Sequence, residues 1–367
     1  MTRAQFDIPI YQPDLSGNEK KYVNECLDTS WISSKGRFVS EFEKKFAQRI
    51  GVKHAISVSN GTVAIHLALL ALGIGAGDEI IVPTLTYVAS VNAIKYCNAI
   101  PVFVDSCRDS WQMDPEDIRK KITAQTRAIV VVHLYGQACD MDAIMMIARD
   151  HKLDVVEDCA EAFGTLYRGR HAGVFGNIST FSFFGNKTIT TGEGGMVVSD
   201  DEVLSERARH FKGQGLATGR EYWHDIIGYN YRMTNIQAAI GLAQLERADI
   251  FIENKRRIAE LYSKLLSGVA IEMHAEAPHT KHSHWMISLL VKNGAQRNPL
   301  RDHLANAGIE TRPFFSPVHS MPMYAGGERA FPEADRLATL GINLPSWPGL
   351  SDEQVHRICF EIKQALD

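Results

Sequence analysis

The amino-acid sequence predicts an α/β protein built on one large mixed sheet of seven strands, followed by a smaller C-terminal α+β domain. From residue 54 onward, short β-branched runs alternate with amphipathic stretches at helical spacing, which is typical of a largely parallel sheet covered by helices. The last two runs lie close together around a glycine-rich turn, so at least one strand is expected to be antiparallel. After about residue 250 the alternation changes. We therefore expect a large domain at residues 1–250 and a small domain at residues 251–367.

The elements of the large domain follow from this alternation. The predicted strands cover residues 55–58, 79–82, 101–104, 128–134, 154–157, 179–183 and 196–199. Helices are expected at residues 62–72, 89–97, 115–122, 141–151 and 203–211. A long helical pattern from Asn235 toward Leu266 closes this domain. The small domain is predicted to hold a strand at 285–291 and helices at 300–307 and 352–366.

Composition excludes several classes of protein. With 45% hydrophobic residues, 22% charged residues and a net charge of −4, the chain resembles an ordinary soluble globular protein, without attraction to nucleic acid or anionic membranes. The apolar runs are strand-sized, so no membrane span is expected. The six cysteines include no Cys-x-x-Cys pair, and the N-terminus lacks the apolar core of a signal peptide. We therefore expect reduced thiols, a cytoplasmic location and no metal site.

A lysine and an aspartate carry the strongest functional signal. Lys187 lies between strand-like segments and glycine-rich turns, and Asp158 ends an apolar run 29 residues earlier. This pair is what pyridoxal phosphate (PLP) chemistry requires, because the lysine forms the Schiff base and the aspartate keeps the pyridine nitrogen protonated. Ligands bind at the carboxyl ends of the strands of doubly wound sheets, which favours a site role for Asp158. Taken alone, Asp158 is equally explained as a helix cap.

Four further residues extend the pattern. Gly61 and Thr62 follow the first strand and open the first helix, where free N–H groups and the helix dipole attract a phosphate. Tyr87 follows the second strand as a candidate stacking ring, and Ser182 is a candidate phosphate ligand near Lys187. Individually, a turn glycine, a core tyrosine and a strand serine are simpler explanations. The set indicates a cofactor site because each member follows a strand in the order that PLP binding needs.

With these residues the chain resembles the DegT/DnrJ/EryC1/StrS family of sugar aminotransferases, which have the fold-type I, aspartate aminotransferase-like architecture. The resemblance covers nearly the whole chain, and its segments lie at residues 31–36, 133–137, 183–187, 222–224, 229–235 and 312–315. It implies that Lys187 is the Schiff-base lysine, Asp158 the partner of the pyridinium nitrogen and Tyr87 the stacking ring. It further implies phosphate contacts from Gly61, Thr62, Ser182 and, across a homodimer with shared active sites, Asn230. Glu161 is a cofactor contact at a position where the wider family often has glutamine or histidine.

The resemblance also implies an activity. A related branch of the family carries histidine in place of the lysine and removes a hydroxyl group, so Lys187 favours transamination. The expected reaction moves an amino group from L-glutamate to C4 of a GDP-linked keto sugar, GDP-4-keto-6-deoxy-mannose, in the synthesis of O-antigen, the polysaccharide of bacterial lipopolysaccharide. Candidate contacts to the sugar nucleotide are Trp31, Ser33, Lys35, Tyr222, Arg232, Arg312 and His319.

Three alternatives to this interpretation remain open. The first is the same transamination on a dTDP- or UDP-linked keto sugar. The second is a non-catalytic binding protein of the same fold, since a fold does not dictate a function. The third, a nicotinamide-dependent enzyme, is disfavoured because no Gly-x-Gly-x-x-Gly motif follows the first strand.

Overall fold

The computed structural model describes residues 6–327 and 330–366. Its strands are β1 (His54–Val58), β2 (Glu79–Pro83), β3 (Ile100–Val104), β4 (Thr126–Val132), β5 (Asp154–Asp158), β6 (Leu166–Tyr167), β7 (Arg170–His171), β8 (Ile178–Ser182), β9 (Gly195–Ser199), β10 (Ile271–Met273), β11 (Thr280–Lys281), β12 (Ile287–Val291), β13 (Arg312–Pro313) and β14 (Gly341–Leu344). Its α-helices are α1 (Glu19–Asp28), α2 (Arg37–Ile50), α3 (Gly61–Leu72), α4 (Ala89–Tyr96), α5 (Pro115–Lys121), α6 (Met141–His151), α7 (Glu202–Lys212), α8 (Asn235–Glu246), α9 (Ala248–Leu265), α10 (Gly294–Asn306), α11 (Pro332–Leu340) and α12 (Asp352–Leu366). Two 3₁₀ turns lie at Leu134–Gly136 and Val318–Ser320.

Seven strands form the main sheet in the order β1-β9-β8-β5-β4-β2-β3. The pairs β5·β8, β4·β5, β2·β4 and β2·β3 are parallel, whereas β9 is antiparallel to both β1 and β8. All strands except β9 therefore run in one direction, and their carboxyl ends meet at one edge of the sheet. Asp158, at the end of β5, and Ser182, at the end of β8, lie at this edge.

Alternation along the strands divides the core between the two faces of the sheet. In β4, Val130 and Val132 pack into the cluster that contains α3 and α4, and Ile129 and Val131 pack against α6 on the other face. A strand buried on both faces reads as a continuous apolar run, which is how the sequence of β4 reads.

A second, antiparallel sheet has the order β10-β12-β14-β13 and packs against α9, α10 and α12. A small third sheet has the order β11-β6-β7. In the described residues, no helix combines the length and apolar character needed to cross a membrane.

The main sheet contains the seven strands that the sequence predicts, and the expected antiparallel strand is β9. Some boundaries differ. The strand expected at 128–134 ends at Val132, because His133 leads into a 3₁₀ turn. The long helix expected from Asn235 is two helices, α8 and α9, which meet at Arg247. The expected domain boundary near residue 250 falls inside α9 and remains a prediction.

Candidate active site

A cavity of about 600 Å³ opens at the carboxyl edge of the main sheet. Parallel strands bring residues that are far apart in sequence to this edge. The cavity wall includes seven of the residues singled out from the sequence: Gly61, Thr62, Tyr87, Asp158, Glu161, Ser182 and Lys187. This volume lies in the range of small-molecule and cofactor pockets.

The N-terminus of α3 forms one end of the cavity. Asn60 caps the helix, accepting a hydrogen bond from the N–H of Val63 at 3.0 Å. A Cβ atom on Gly61 would lie 2.7 Å from Cβ of Ser182, so only glycine lets the helix end approach that serine. The N–H groups of the first turn and the Ser182 hydroxyl are therefore concentrated in one place, which suits a phosphate group.

Asp158 is a buried carboxylate, with 4% of its surface exposed. Its Oδ2 accepts a hydrogen bond from the Ser90 hydroxyl at 2.7 Å, and its Oδ1 accepts one from the N–H of Ala160 at 3.0 Å. Burial raises the pKa of Asp158, although these hydrogen bonds and the charge of Lys187 oppose the rise. Among the described residues, no cationic side chain lies within 4.0 Å of it. The site thus offers a buried anion to a cationic ligand atom.

Lys187 follows β8 and extends its amine into the same cavity. Its Nζ lies 3.8 Å from Oε1 of Glu161 and 3.8 Å from the centre of the Trp285 ring. Burial lowers the pKa of Lys187, while the negative charges of Glu161 and Asp158 partly restore it. A lowered pKa makes the neutral amine, which is the nucleophile and the base, more available near neutral pH.

Glu161 is the carboxylate beside this amine. Its Oε2 accepts a hydrogen bond from the N–H of Tyr135 at 2.7 Å, and its side chain is 5% exposed. Burial raises the pKa of Glu161 to about 7, against the lowering effect of Lys187. Glu161 and Lys187 therefore form a coupled acid–amine pair in which burial opposes the charge of both groups.

Tyr87 presents an open ring to the cavity. Its side chain is 59% exposed, and its ring centre lies 5.6 Å from that of Phe315. The sequence left open whether Tyr87 is a core residue, and this exposure excludes that explanation. A partly open aromatic face can stack on a flat heteroaromatic ring.

Eight other predicted residues do not line this cavity in the described parts of the chain. These residues are Trp31, Ser33, Lys35, Tyr222, Asn230, Arg232, Arg312 and His319. Tyr222 is 93% exposed, and Asn230 Oδ1 accepts a hydrogen bond from Nε of Arg232 at 3.1 Å. Arg312 pairs with Glu310 at 2.6 Å, and His319 is buried. Within a single chain, these eight residues therefore do not line the cavity that contains Lys187.

Several residues at the site were missed in the sequence. Trp285 packs its ring against the Lys187 amine and donates from Nε1 to the carbonyl of Asn186 at 2.8 Å. The Tyr11 hydroxyl donates to the carbonyl of Lys187 at 2.6 Å. Ser90 lies three residues after Tyr87, shortly after the end of a predicted strand. This position was the signal that could have identified it.

The residues present fit pyridoxal phosphate. The N–H groups at the first residues of α3 and the Ser182 hydroxyl suit its phosphate, Asp158 suits a protonated ring nitrogen, and the buried amine of Lys187 suits its aldehyde carbon. Tyr87 supplies an aromatic face in the same cavity.

Comparison with known proteins agrees with this geometry. The chain matches the profile of the DegT/DnrJ/EryC1/StrS aminotransferase family over residues 13–363. GDP-perosamine synthase of Escherichia coli O157:H7 is 60% identical over 97% of this chain and 98% of that protein. GDP-perosamine synthase of Vibrio cholerae is 51% identical over 97% and 98%. A Streptococcus pneumoniae protein solved in its PLP form superposes with a TM-score of 0.94 at 27% identity, covering 98% of each chain. The chain therefore belongs to the DegT/DnrJ/EryC1/StrS aminotransferase family.

Proposed function

We propose that this protein is a PLP-dependent aminotransferase that converts GDP-4-keto-6-deoxy-mannose to GDP-perosamine, with L-glutamate as the amino donor. The observation that carries the proposal is the placement of a buried amine, Lys187, and a buried carboxylate, Asp158, in one cavity. The choice of substrate is supported by the two GDP-perosamine synthases that resemble the chain over nearly its full length.

The cofactor would be held by residues from separate strands. The N–H groups at Gly61 and Thr62 and the Ser182 hydroxyl would bind the phosphate, because they meet at the N-terminus of α3. Tyr87 would stack on the ring. Asp158, oriented by Ser90, would hold the ring nitrogen in its protonated form. When bound, PLP supplies the electron sink that transamination needs.

Lys187 would move the proton. Its Nζ would be the buried base that takes a proton from the substrate carbon and gives it back during the transfer of the amino group, and its lowered pKa favours the neutral, basic form. Glu161, 3.8 Å from the same nitrogen, would adjust its charge state. Trp285 closes the cavity beside the amine and limits the entry of water.

The proposal includes a homodimer in the cytoplasm, where Asn230 of one subunit reaches the phosphate in the site of the other. It also includes the sugar-nucleotide contacts Trp31, Ser33, Lys35, Tyr222, Arg232, Arg312 and His319. The exposure of Tyr222 and the position of Asn230 outside its own cavity support a contribution across subunits.

A substrate panel tests the proposal. Purified protein is incubated with L-glutamate and GDP-, dTDP- or UDP-linked 4-keto sugars, and aminated products are identified by mass. Amination of the GDP-linked 4-keto-6-deoxy-mannose above all others is expected, and a preference for a dTDP- or UDP-linked sugar would correct the substrate. A protein with neither visible cofactor absorbance nor any aminated product would be a binding protein instead.

A further inference from the structure

Lys255 is a buried lysine that the proposed reaction does not use. It lies on α9, its side chain is fully buried, and it is absent from the cavity wall. In the described residues no carboxylate lies within 4.0 Å of its nitrogen, so its partners are backbone carbonyls: Trp285 at 3.1 Å and Ser346 at 2.5 Å. Burial lowers the pKa of Lys255 to about 7. Removing a charged amine from water costs free energy, and these carbonyls offset part of that cost by accepting hydrogen bonds from the amine.

Three segments of the chain meet at this amine. Besides Trp285 and Ser346, the ring of Tyr11 lies with its centre 5.4 Å from the Lys255 nitrogen. The Ser346 hydroxyl also donates to the carbonyl of Trp285 at 3.2 Å. Lys255 therefore joins the N-terminal segment to the turns that flank the second sheet.

Two of these three neighbours also contact the segment that carries Lys187. Tyr11 donates to the carbonyl of Lys187, and Trp285 donates to the carbonyl of Asn186. The Trp285 ring lies 3.8 Å from Lys187 Nζ. A continuous set of hydrogen bonds and ring contacts thus connects one buried lysine to the other.

We propose that Lys255 is a positioning residue that holds Trp285 and Tyr11 against the Lys187 segment and so sets the environment of the reactive amine. The proposal rests on the proposed role of Lys187 in binding the cofactor. Lys255 does not touch the cavity, so its effect passes through its neighbours. A purely structural role would instead lower the stability of the protein and leave the protonation of Lys187 unchanged.

The groups that face Lys187 give the expected direction of change. They are the carboxylates Glu161 and Asp158 and the ring of Trp285. If the Trp285 carbonyl loses the Lys255 amine, which is one of its two donors among the described residues, beside the Ser346 hydroxyl, the Trp285 ring is held less firmly. Water then reaches the Lys187 nitrogen more easily and stabilises its charged form. The proton on this nitrogen should then be released at higher pH.

The test is a pH titration of the visible absorbance of the cofactor bound to Lys187 in the holoenzyme. Lys255→Met is expected to raise the midpoint by about 0.5 to 1 pH unit relative to the unaltered protein. The control is Lys212→Met, because the Lys212 side chain is also mostly enclosed, with 13% of its surface exposed, but pairs with Glu43 at 3.1 Å, outside the cavity wall. It should leave the midpoint unchanged. A folded Lys255→Met protein with an unaltered midpoint overturns the proposal.

A second variant separates positioning from direct charge repulsion between the two lysines. Trp285→Phe removes the bond to Asn186, and it should also shift the midpoint. Adding Lys255→Met to Trp285→Phe should then shift the midpoint by less than Lys255→Met does alone, because only the path through Tyr11 remains. Additive shifts would show direct electrostatics and overturn the proposal. If Lys255→Met does not fold, an unmoved midpoint in Trp285→Phe overturns it. If the unaltered protein shows no cofactor absorbance, the proposed function fails instead.

Discussion

Glu161 and Lys187 form a buried pair of opposite charge, with 3.8 Å between Oε1 and Nζ. Burial raises the pKa of the acid to about 7 and lowers the pKa of the amine. Each group therefore resists the charge that would be usual for it in water, and their attraction only partly offsets the loss of hydration. Such a pair adds little to stability and much to the sensitivity of the site to pH.

The first prediction concerns Glu161→Gln in the cofactor-free protein. Because the folded-state pKa of Glu161 is raised, its contribution to stability is fully present below the unfolded value of 4.5 and is lost as pH rises through about 7. Glutamine removes this dependence. Relative to the unaltered protein, the variant should gain on the order of 1 to 3 kcal/mol of unfolding free energy between about pH 5 and about pH 8. Urea denaturation at the two pH values measures it, and an equal difference at both would contradict the prediction.

Lys187→Ala is expected to abolish transamination while the protein still folds, since the side chain faces a cavity. Loss of the base should reduce turnover by at least about a thousandfold. Product mass and cofactor absorbance measure the effect, and circular dichroism checks folding. Lys53→Ala, a change at an exposed lysine, is the control and should keep full activity. Near-normal turnover by Lys187→Ala without added amines would refute the assignment, and a protein that does not fold would point to a structural role.

Asp158→Asn should bind the cofactor and lose most activity, roughly a hundredfold or more, because an amide does not hold the ring nitrogen protonated. Ser90→Ala removes one hydrogen bond from the same carboxylate, and a loss of about tenfold is expected. The order of the two effects is the informative result. Steady-state turnover measures both effects. A larger loss in Ser90→Ala than in Asp158→Asn would show that the carboxylate only makes local hydrogen bonds to the protein.

The sequence was sufficient to predict the seven strands of the main sheet and the residues that follow them, but not the residues that close the site. Asp158 follows a strand directly, and that position could be predicted because carboxyl ends of parallel strands converge. Trp285 and Tyr11 reach Lys187 from distant parts of the chain, and no local pattern marks them. Helix α2 was missed although Phe38, Phe42 and Phe46, spaced four residues apart, give an amphipathic pattern.

Gly61→Ala tests the phosphate end of the cavity. The added Cβ would meet Cβ of Ser182 at 2.7 Å, so the helix end or the serine must move. We expect cofactor affinity to fall by about tenfold, the equivalent of one hydrogen bond, measured by titrating cofactor-free protein with PLP. Gly75→Ala is the control, because a Cβ there meets no atom within 4 Å. Equal affinities in the two variants would mean that the N-terminus of α3 and Ser182 can move apart without weakening phosphate binding.

The last prediction concerns a second copy of the chain. Asn230 is exposed and lies outside the cavity of its own subunit. If it completes the phosphate site of its neighbour, each site in a two-fold dimer takes Lys187 from one chain and Asn230 from the other. A mixed dimer of Lys187→Ala and Asn230→Ala chains then places both defects in one site and leaves the other intact. Equal amounts with free exchange should recover about a quarter of the unaltered activity, since about half the dimers are mixed and each has one working site.

Two controls are needed: Asn230→Ala alone must be nearly inactive, and subunit exchange must be shown by mass or by tag. If both conditions hold and the mixture stays inactive, Asn230 acts only within its own chain, where it accepts a hydrogen bond from Arg232.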